Sequence, residues 1–196
     1  IFLMKKIGFF INNTINKKYL DINFHNIKIL NSNFDEFYII DTENDFSLVL
    51  SERVKKLGKK SEFLFGKDYN NFQKINCLLD ELDLDSVDTL TVILDDYIYI
   101  NNLEDYFNFC DNSNYDLISF SDSSEIFYHL QINIVYIKKN TISYYKNLIS
   151  DYSLKKKVND YNLLYLDFLK DIQLKINNKT AYCKIAYIES NEKKKY

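Results

Sequence analysis

The amino-acid sequence predicts an α/β protein with a mostly parallel central sheet flanked by helices. Apolar strands alternate with amphipathic helical segments through the first half of the chain, which is typical of strands joined by helical crossovers. The strands are continuous apolar runs, as expected for strands buried on both faces of a parallel sheet. With 196 residues, of which 46% are hydrophobic and 16% aromatic, the chain is long enough and apolar enough to bury a full core.

In order along the first half, four predicted strands alternate with three predicted helices. The strands are Lys6–Ile11, Phe37–Ile40, Glu62–Phe65 and Thr89–Leu94, and the helices between them are Lys17–Leu30, Phe46–Leu57 and Tyr69–Leu82. The third helix has the clearest pattern, because its apolar residues recur at helical spacing on one face. Gly58 directly follows the second helix and is predicted to cap its carboxyl end.

The second half is less regular. Its predicted elements are a helix over Leu103–Cys110, strands over Asp116–Phe120 and Phe127–Ile137, helices over Thr141–Tyr152 and Tyr161–Ile172, and a last strand over Ala181–Ile188. The chain shows no internal repeat and no low-complexity linker, so residues 1–196 are predicted to form a single domain. Residues 189–196 are strongly charged, and we expect a frayed tail there or a continuation into a longer chain.

Rare residues exclude several classes of enzyme. Gly8, Gly58 and Gly66 are the only glycines, so the chain cannot form a Walker A loop, a Gly-x-Gly-x-x-Gly dinucleotide loop or a Gly-x-Ser-x-Gly nucleophile elbow. His25 and His129 are the only histidines, which excludes the paired-histidine motifs of zinc peptidases and zinc fingers. His25 lies within a predicted helix and is interpreted as structural.

Charge and cysteine content indicate a cytoplasmic protein that does not bind nucleic acid. The net charge is −3, and Arg53 is the only arginine among the 25 basic residues, which is not the pattern of a nucleic-acid surface. The 3 cysteines are widely spaced and lack a Cys-x-x-Cys pair, as expected for reduced thiols. No apolar run approaches the ~18 residues that a membrane span needs. The lysines at 155–157 and 193–195 are interpreted as solvated charge, with peripheral attraction to an anionic membrane surface as the alternative.

Polar residues follow each of the four strands of the first half. Residues 12–13 are asparagines, residues 41–45 and 66–68 contain acids, and residues 95–96 are both aspartates. In parallel α/β sheets, ligands bind at the carboxyl ends of the strands. Acids at this edge, without a glycine-rich phosphate loop, suit a divalent metal ion that itself holds a phosphate group.

Each of these groups also has a purely structural interpretation. Asp95 and Asp96 suit a metal ion, whose charge would offset their mutual repulsion, but they also suit a solvated turn or the acidic start of a helix. Residues 66–71 open the clearest helix, and the amide groups there could hold an anion. Simple N-capping by Asp68 or Asn70 is the alternative, and by itself it is the favoured one.

A second group of candidates lies between two predicted strands of the second half. His129 and Gln131 would share one face of a strand, where they either line a site or form an ordinary solvent-facing polar pair. Asp122 and Glu125 occupy the polar turn before them. A carboxylate in that turn is a candidate general base, with an ordinary turn residue as the alternative.

Three segments occur in a characteristic order. They are Leu90-Thr-Val-Ile-Leu-Asp-Asp-Tyr-Ile-Tyr99, then Tyr115-Asp-Leu-Ile-Ser-Phe-Ser-Asp122, then Tyr128-His-Leu-Gln131. In order and spacing they resemble the rhamnan synthesis protein F family. That family shows an apolar strand ending in Asn-Asp-Ser, an aspartate-led strand ending near a Thr or Ser, and a His-x-Gln-Ser before an apolar strand. Asp95, Tyr97 and Ile132 depart from the family pattern.

Two upstream segments extend the resemblance over most of residues 5–150. Gly66-Lys-Asp-Tyr-Asn-Asn-Phe-Gln-Lys74 is similar to the Gly-x-Asp segment that opens a helix in the same family. Asp41-Thr-Glu-Asn-Asp45 is similar to the Asp-x-x-x-Asp stretch after the second strand of many glycosyltransferases with the GT-A fold. The resemblance implies a GT-A-like, Rossmann-like domain with a nucleotide-binding half over 5–100 and an acceptor and sugar half over 101–188.

The resemblance also implies an activity. The chain would be a glycosyltransferase of cell-surface polysaccharide synthesis, using a nucleotide-sugar donor and a glycan or glycolipid acceptor in the cytoplasm or at the inner face of the cell membrane. Asp96, with Asp95, would hold Mg²⁺ or Mn²⁺, and Asp122 or Glu125 would take the proton of the acceptor hydroxyl if the reaction inverts. The donor contacts would be Asn12, Asp41, Asn44, Gly66, Lys67 and Asp68. His129 and Gln131 would line the pocket, either as donor contacts or as a further metal ligand.

Two other interpretations stay open. One is a non-catalytic relative that acts as a subunit or domain of a longer transferase, as the short chain and its start at Ile1 suggest. The other is a different α/β enzyme, such as a metal-dependent phosphotransferase or nucleotidyltransferase, which would share the acid pair and the nucleotide but form phosphoryl products.

Overall fold

The first half of the chain folds as the predicted alternation of strands and helices. The structure, a computed structural model, describes residues 4–58, 61–66, 69–94, 98–100, 104–121, 132–154, 180–184 and 188–190. Its elements in chain order are β1 (Lys6–Ile11), α1 (Lys17–Leu30), β2 (Glu36–Thr42), α2 (Asp45–Lys55), β3 (Ser61–Gly66), α3 (Asn71–Glu81), β4 (Thr89–Leu94), β5 (Ile98–Ile100), α4 (Glu104–Asn112), β6 (Leu117–Ser121), β7 (Ile132–Lys138), α5 (Lys139–Ser153), β8 (Thr180–Lys184) and β9 (Ile188–Ser190).

Within the described residues, the main sheet has seven strands in the order β3-β2-β1-β4-β7-β6-β8. Strands β1 to β4 pair in parallel, as do β6 and β8. Strand β7 runs antiparallel to both of its neighbours, β4 and β6. The six strands other than β7 therefore all run in the same direction. The predicted mostly parallel α/β fold is therefore confirmed, and a short antiparallel pair of β5 and β9 is added to it.

Helices cover both faces of the main sheet, as the continuous apolar strands predict. On one face, α3 and α5 bury side chains such as Phe72 and Tyr145 against the sheet. On the other face, α1, α2 and α4 bury Leu20, Leu50 and Phe107. Successive residues of a strand point to opposite faces. Strand β1 accordingly contributes to both cores.

Asparagine side chains cap the amino-terminal ends of the three helices of the first half. Asn16 accepts a hydrogen bond from the amide of Tyr19 at 3.1 Å, at the start of α1. At the start of α3, Asn70 accepts from the Gln73 amide at 2.8 Å, and Gln73 accepts from the Asn70 amide at 2.9 Å. Asn44 caps α2 with a similar reciprocal pair. The chain has no proline, so these caps mark where each helix begins.

The end of α2 differs from the prediction. The helix stops at Lys55 and Lys56 is its cap, while Gly58, predicted to be the cap, lies two residues further on with φ of 107°. That left-handed conformation strains any residue with a Cβ atom, and glycine adopts it freely. The glycine thus lets the chain turn from α2 back towards β3.

One predicted element is wrong. The apolar run Ala181–Ile188 was expected to be a single strand, but its two ends belong to different sheets. Strand β8 pairs in parallel with β6, whereas β9 pairs antiparallel with β5. A continuous apolar pattern does not reveal where a strand changes its hydrogen-bonding partner, which is why the sequence merged the two.

Other expectations fall partly outside the described residues. The strand predicted over Phe127–Ile137 is observed from Ile132 onwards, and the helix predicted over Tyr161–Ile172 lies outside the part of the chain that the structure describes. Among the described helices, none combines the length and the apolar character needed to cross a bilayer.

Gly8 of β1 provides a test of the packing between sheet and helices. A Cβ atom at this position would lie 2.5 Å from Cδ2 of Phe34. The Phe34 ring is itself held by a stacked contact with Phe37, with ring centroids 5.4 Å apart, and an edge contact with Phe107 at 5.5 Å. We expect Gly8→Ala to lower the free energy of unfolding by about 1–3 kcal/mol in urea titration, because it overpacks a core that cannot move aside.

A Phe34→Leu background serves as the control for this substitution. The smaller side chain leaves room for the added methyl group, so Gly8→Ala should cost less there than in the natural chain. Equal losses in the two backgrounds would contradict the steric explanation.

Candidate functional site

The carboxyl ends of the parallel strands bring several predicted site residues to one edge of the sheet. In the strand register, Ile11 pairs with Ile40 of β2 and with Leu94 of β4. Thr42 at the end of β2 pairs with Gly66 at the end of β3. Asn12, Asp41 and Gly66 therefore lie at neighbouring strand ends, and Asn44 follows just beyond β2.

Asp41 lies at the centre of this edge and is completely buried, with 0% of its surface exposed. Both of its carboxylate oxygens accept from the amide of Thr14 at 3.2 Å, and Oδ1 also accepts from the amide of Thr42 at 2.7 Å. The carboxylate thereby connects the loop after β1, at Thr14, to the end of β2.

Burial raises the pKa of the Asp41 carboxyl above its ordinary value. Hydrogen bonds from the hydroxyl and the amide of Thr14 oppose this change, as does the positive charge of Lys74. The loss of hydration is the larger effect, because a carboxylate surrounded by protein cannot recover all the stabilisation it receives from water.

The Thr14 hydroxyl organises the side chains around Asp41. Its oxygen accepts from Nδ2 of Asn12 at 3.3 Å and from Nδ2 of Asn23 at 3.0 Å. The Oδ1 of Asn12 has no hydrogen-bond partner among the described residues.

Lys74 completes this group, which we term the buried polar cluster: Asn12, Thr14, Asn23, Asp41 and Lys74. Lys74 belongs to α3 and has only 3% of its surface exposed. Its Nζ donates to the backbone carbonyl of Asn12 at 2.7 Å. Sequence reasoning did not single out this residue, although a signal was present: Lys74 precedes Leu78 by four residues, which puts both on the buried face of α3.

Asn44 is the amino-terminal cap of α2. Its Oδ1 accepts from the amides of Phe46 at 2.9 Å and Ser47 at 3.0 Å, and its Nδ2 donates to the carbonyl of Thr42 at 3.1 Å. Both ends of the amide are thus engaged in capping α2. A contact between Asn44 and a nucleotide stays a prediction beside this role.

Gly66 is buried at the end of β3. A Cβ atom there would lie 3.2 Å from Cδ2 of Tyr69 and 3.6 Å from Cδ1 of Ile40. The absence of a side chain thus lets the chain after β3 pack closely against β2. At the start of α3, the reciprocal cap of Asn70 and Gln73 is the structural alternative to an anion site, and it is the arrangement observed.

The remaining predicted site residues lie outside the described residues. They are Lys67, Asp68, Asp95, Asp96, Asp122, Glu125, His129 and Gln131. The strands that precede them are described: β4 ends at Leu94 and β6 at Ser121, and both carboxyl ends lie at the same edge as the buried polar cluster. Within the described part of the chain, no group of three His, Cys, Asp or Glu side chains could hold a metal ion.

A cavity of about 250 Å³ lies at the opposite edge of the sheet. Four of its lining residues are engaged in pairs: Lys139 pairs with Asp88 at 3.6 Å, and the Tyr136 hydroxyl donates to Asp111 at 2.6 Å. The buried polar cluster, by contrast, contains an acceptor without a described partner. We therefore place the candidate site at the carboxyl edge.

Comparisons with known proteins give the fold a wider context. No protein-family model matches the chain, and no curated protein matches it in sequence. Solved structures do match. A protein described as a nucleotide-diphospho-sugar transferase, from Desulfovibrio desulfuricans G20, superposes with a TM-score of 0.62 at 11% identity, covering 93% of this chain and 80% of that one.

Two further matches have different activities. A cytidylyltransferase from Leptospira borgpetersenii has a TM-score of 0.58 at 11% identity and covers 96% of this chain and 79% of its own. A glycosyltransferase from Streptococcus pneumoniae has a TM-score of 0.52 at 11% identity, covering 92% of this chain and 45% of its own. At these identities the likeness shows the fold alone, which this chain shares with a nucleotide-diphospho-sugar transferase, a cytidylyltransferase and a glycosyltransferase.

The raised pKa of Asp41 predicts a pH dependence of stability. A folded-state pKa above the unfolded value means that the folded protein binds the proton more tightly, so this residue adds stability as pH falls from neutral towards about pH 4. Urea titrations of the natural chain and of Asp41→Asn should show the natural chain gaining stability relative to the variant over that window.

Glu36 provides the contrasting control. The hydrogen bond from Lys5 holds the pKa of Glu36 below its ordinary value, so its contribution is present at neutral pH and is lost as pH falls through the lowered pKa. The difference between the natural chain and Glu36→Gln should therefore change with the opposite sign. Parallel trends for the two pairs would refute the assignment for Asp41.

Proposed function

We propose that this chain is a glycosyltransferase that moves a sugar from a nucleotide-sugar donor to a glycan or glycolipid acceptor with the help of a divalent metal ion. The observation that carries the proposal is the meeting of Asn12, Asp41 and Gly66 at one edge of a sheet whose architecture is that of nucleotide-sugar transferases. These three residues come from the segments in which the sequence predicts donor contacts.

The proposed donor site begins at the buried polar cluster. The unpartnered Oδ1 of Asn12 is an acceptor for an N–H group of the base or for a ribose hydroxyl. Residues 66–68 would form the neighbouring wall at the end of β3. Asp41 would support the donor site by holding the surrounding backbone, since its oxygens accept from the amides of Thr14 and Thr42.

The proposed chemistry lies at the ends of β4 and β6. The bond between the anomeric carbon and the diphosphate oxygen breaks, and the acceptor oxygen forms the new bond to that carbon. In the inverting form of the reaction, the hydroxyl proton passes to a carboxylate of the chain, Asp122 or Glu125. Asp95 and Asp96 would hold Mg²⁺ or Mn²⁺, which neutralises charge on the leaving diphosphate. His129 and Gln131 would contact the sugar.

The resemblance to the rhamnan synthesis protein F family makes rhamnose the first sugar to test. It also makes a cell-surface polysaccharide the first acceptor class to test. Both follow from the resemblance alone.

Nucleotidyl transfer is the second candidate, because a cytidylyltransferase is among the similar structures. In that reaction a sugar-phosphate oxygen would bond to the α-phosphorus of a nucleoside triphosphate, and pyrophosphate would leave. The loop after β1 weighs against it. Residues 12–16 contain no glycine, whereas loops that wrap a triphosphate commonly use glycine to bring their amide groups close.

The first test is calorimetric titration of the purified chain with UDP, GDP and dTDP, each with and without Mn²⁺. We expect one of the three to bind, and to bind much more tightly with the metal, because Asp95 and Asp96 would hold the ion and its charge would offset that of the diphosphate. A folded sample that binds none of them would contradict the proposal and favour a non-catalytic subunit of a longer transferase.

The second test is the variant Asp96→Ala, assayed for release of nucleoside diphosphate from nucleotide-sugars and of pyrophosphate from triphosphates. We expect diphosphate as the product of the natural chain and a loss of about 10²-fold or more in the variant, the size of effect seen when transition-state charge is no longer stabilised. Asp85→Ala is the matched control, since Asp85 is an exposed acid in the turn before β4, at the far edge of the sheet. An unchanged rate in Asp96→Ala would overturn the metal assignment, and pyrophosphate as the product would establish nucleotidyl transfer.

A further inference from the structure

We propose that Lys74 is a positioning residue of the nucleotide site, which holds the loop of residues 12–16 in its binding conformation through the carbonyl of Asn12. This inference rests on the proposed function, because it assigns the loop to nucleotide binding. Lys74 is the last residue of the segment that begins at Gly66, and the sequence predicts no role for it in the site.

The first step is the burial of the ammonium group. A lysine with 3% of its surface exposed has lost nearly all of its hydration, which is costly unless fixed protein groups replace the water. The bond from Nζ to the Asn12 carbonyl at 2.7 Å is one such replacement. Asp41 lies near enough for the two charges to act on each other.

The second step is the way in which the loop is held. The amide of Asn12 donates to the carbonyl of Ile40 at 2.8 Å, and the amide of Thr14 donates to Asp41. Both of these contacts come from β2. Lys74 alone among these contacts comes from α3, which begins at Asn71, shortly after Gly66 at the end of β3. It therefore links the two segments proposed to surround the nucleoside.

The third step concerns which property Lys74 controls. The loop and the β3 end would contact the nucleoside, whereas the proposed bond breaking is at the ends of β4 and β6. Loss of Lys74 should therefore weaken nucleotide binding and raise KM, with kcat little changed. A residue that only stabilises the fold would lower the melting temperature and leave the affinity of the folded protein unchanged.

The test is a double-mutant cycle with Lys74→Met and Asp41→Asn, read out as the dissociation constant of the nucleotide that binds the natural chain. We expect Lys74→Met to weaken binding about tenfold, as when a group that orients binding residues is lost, and by a similar factor in the Asp41→Asn background. A loss that vanishes in that background would mean that Lys74 only neutralises Asp41, and would overturn the proposal. The double variant also removes both charges of the Asp41 and Lys74 pair, so it provides a folded sample if Lys74→Met alone is unstable.

Lys146→Met is the matched control. Lys146 also donates to a backbone carbonyl, that of Leu79 at 3.3 Å, and pairs with Asp80 at 3.0 Å. It connects α5 to the end of α3, away from the loop. Its loss should leave the affinity unchanged, and an equal loss in both variants would contradict a specific role for Lys74.

Hydrogen exchange separates this inference from the proposed function. Without any nucleotide, the amide of Thr14 should exchange at least about tenfold faster in Lys74→Met, because its loop is no longer held from α3. Lys74→Arg, which keeps a donor and the charge, should restore part of the protection. If the natural chain binds no nucleotide, the proposed function fails on that result, while unchanged exchange in Lys74→Met overturns the positioning role.

Discussion

The parallel pairing of β1 with β2 on one side and with β4 on the other is the constraint on which the rest of the fold depends. β1 has no solvent-facing side: Ile7 and Phe9 enter one core, and Phe10 enters the other. Such a strand can only lie in the middle of a sheet that helices cover on both faces. The crossovers of the first half, the two core layers and the shared carboxyl edge all follow from that requirement.

Aspartate side chains fix the register of this central strand at both ends. At its start, Asp88 accepts from the amide of Lys5 and Asp35 from the amide of Lys6, each at 2.8 Å. Beyond its end, Asp41 accepts from the amide of Thr14. A shift by one residue would break these bonds and would also exchange the faces of every buried side chain. The buried charge of Asp41 thus serves the fold as well as the edge at which we propose a ligand.

The sequence was a good guide to whatever depends on local pattern. Apolar runs and helical spacing located the elements of the first half, since burial on both faces leaves a direct mark on composition. The site was predictable only as a place, the carboxyl edge, because parallel strands end together. The individual bonds at Asp41 and Asn44 were not predictable, since a buried cap and a ligand contact use the same residue types.

Lys74 was missed because a lysine on an apolar helix face is normally taken as solvated, and only the tertiary structure shows its partner. The division between β8 and β9 was missed because partner choice leaves no periodic signal.

The strand order of the main sheet has a consequence for how the chain reaches this structure. The pairings of β1 with β2 and of β2 with β3 are each closed by a chain segment of one helix and its turns, whereas β4 must find β1 across the stretch from Ile11 to Thr89, and β8 must find β6 across the stretch from Ser121 to Thr180. Long closures are slower and cost more chain entropy than short ones. The unit of β1, β2 and β3, which carries Asp41, should therefore assemble early, and β4 and the strands beyond it should dock onto its open edge afterwards. During synthesis the amino-terminal half also leaves the ribosome first, so the order of emergence and the order of closure coincide.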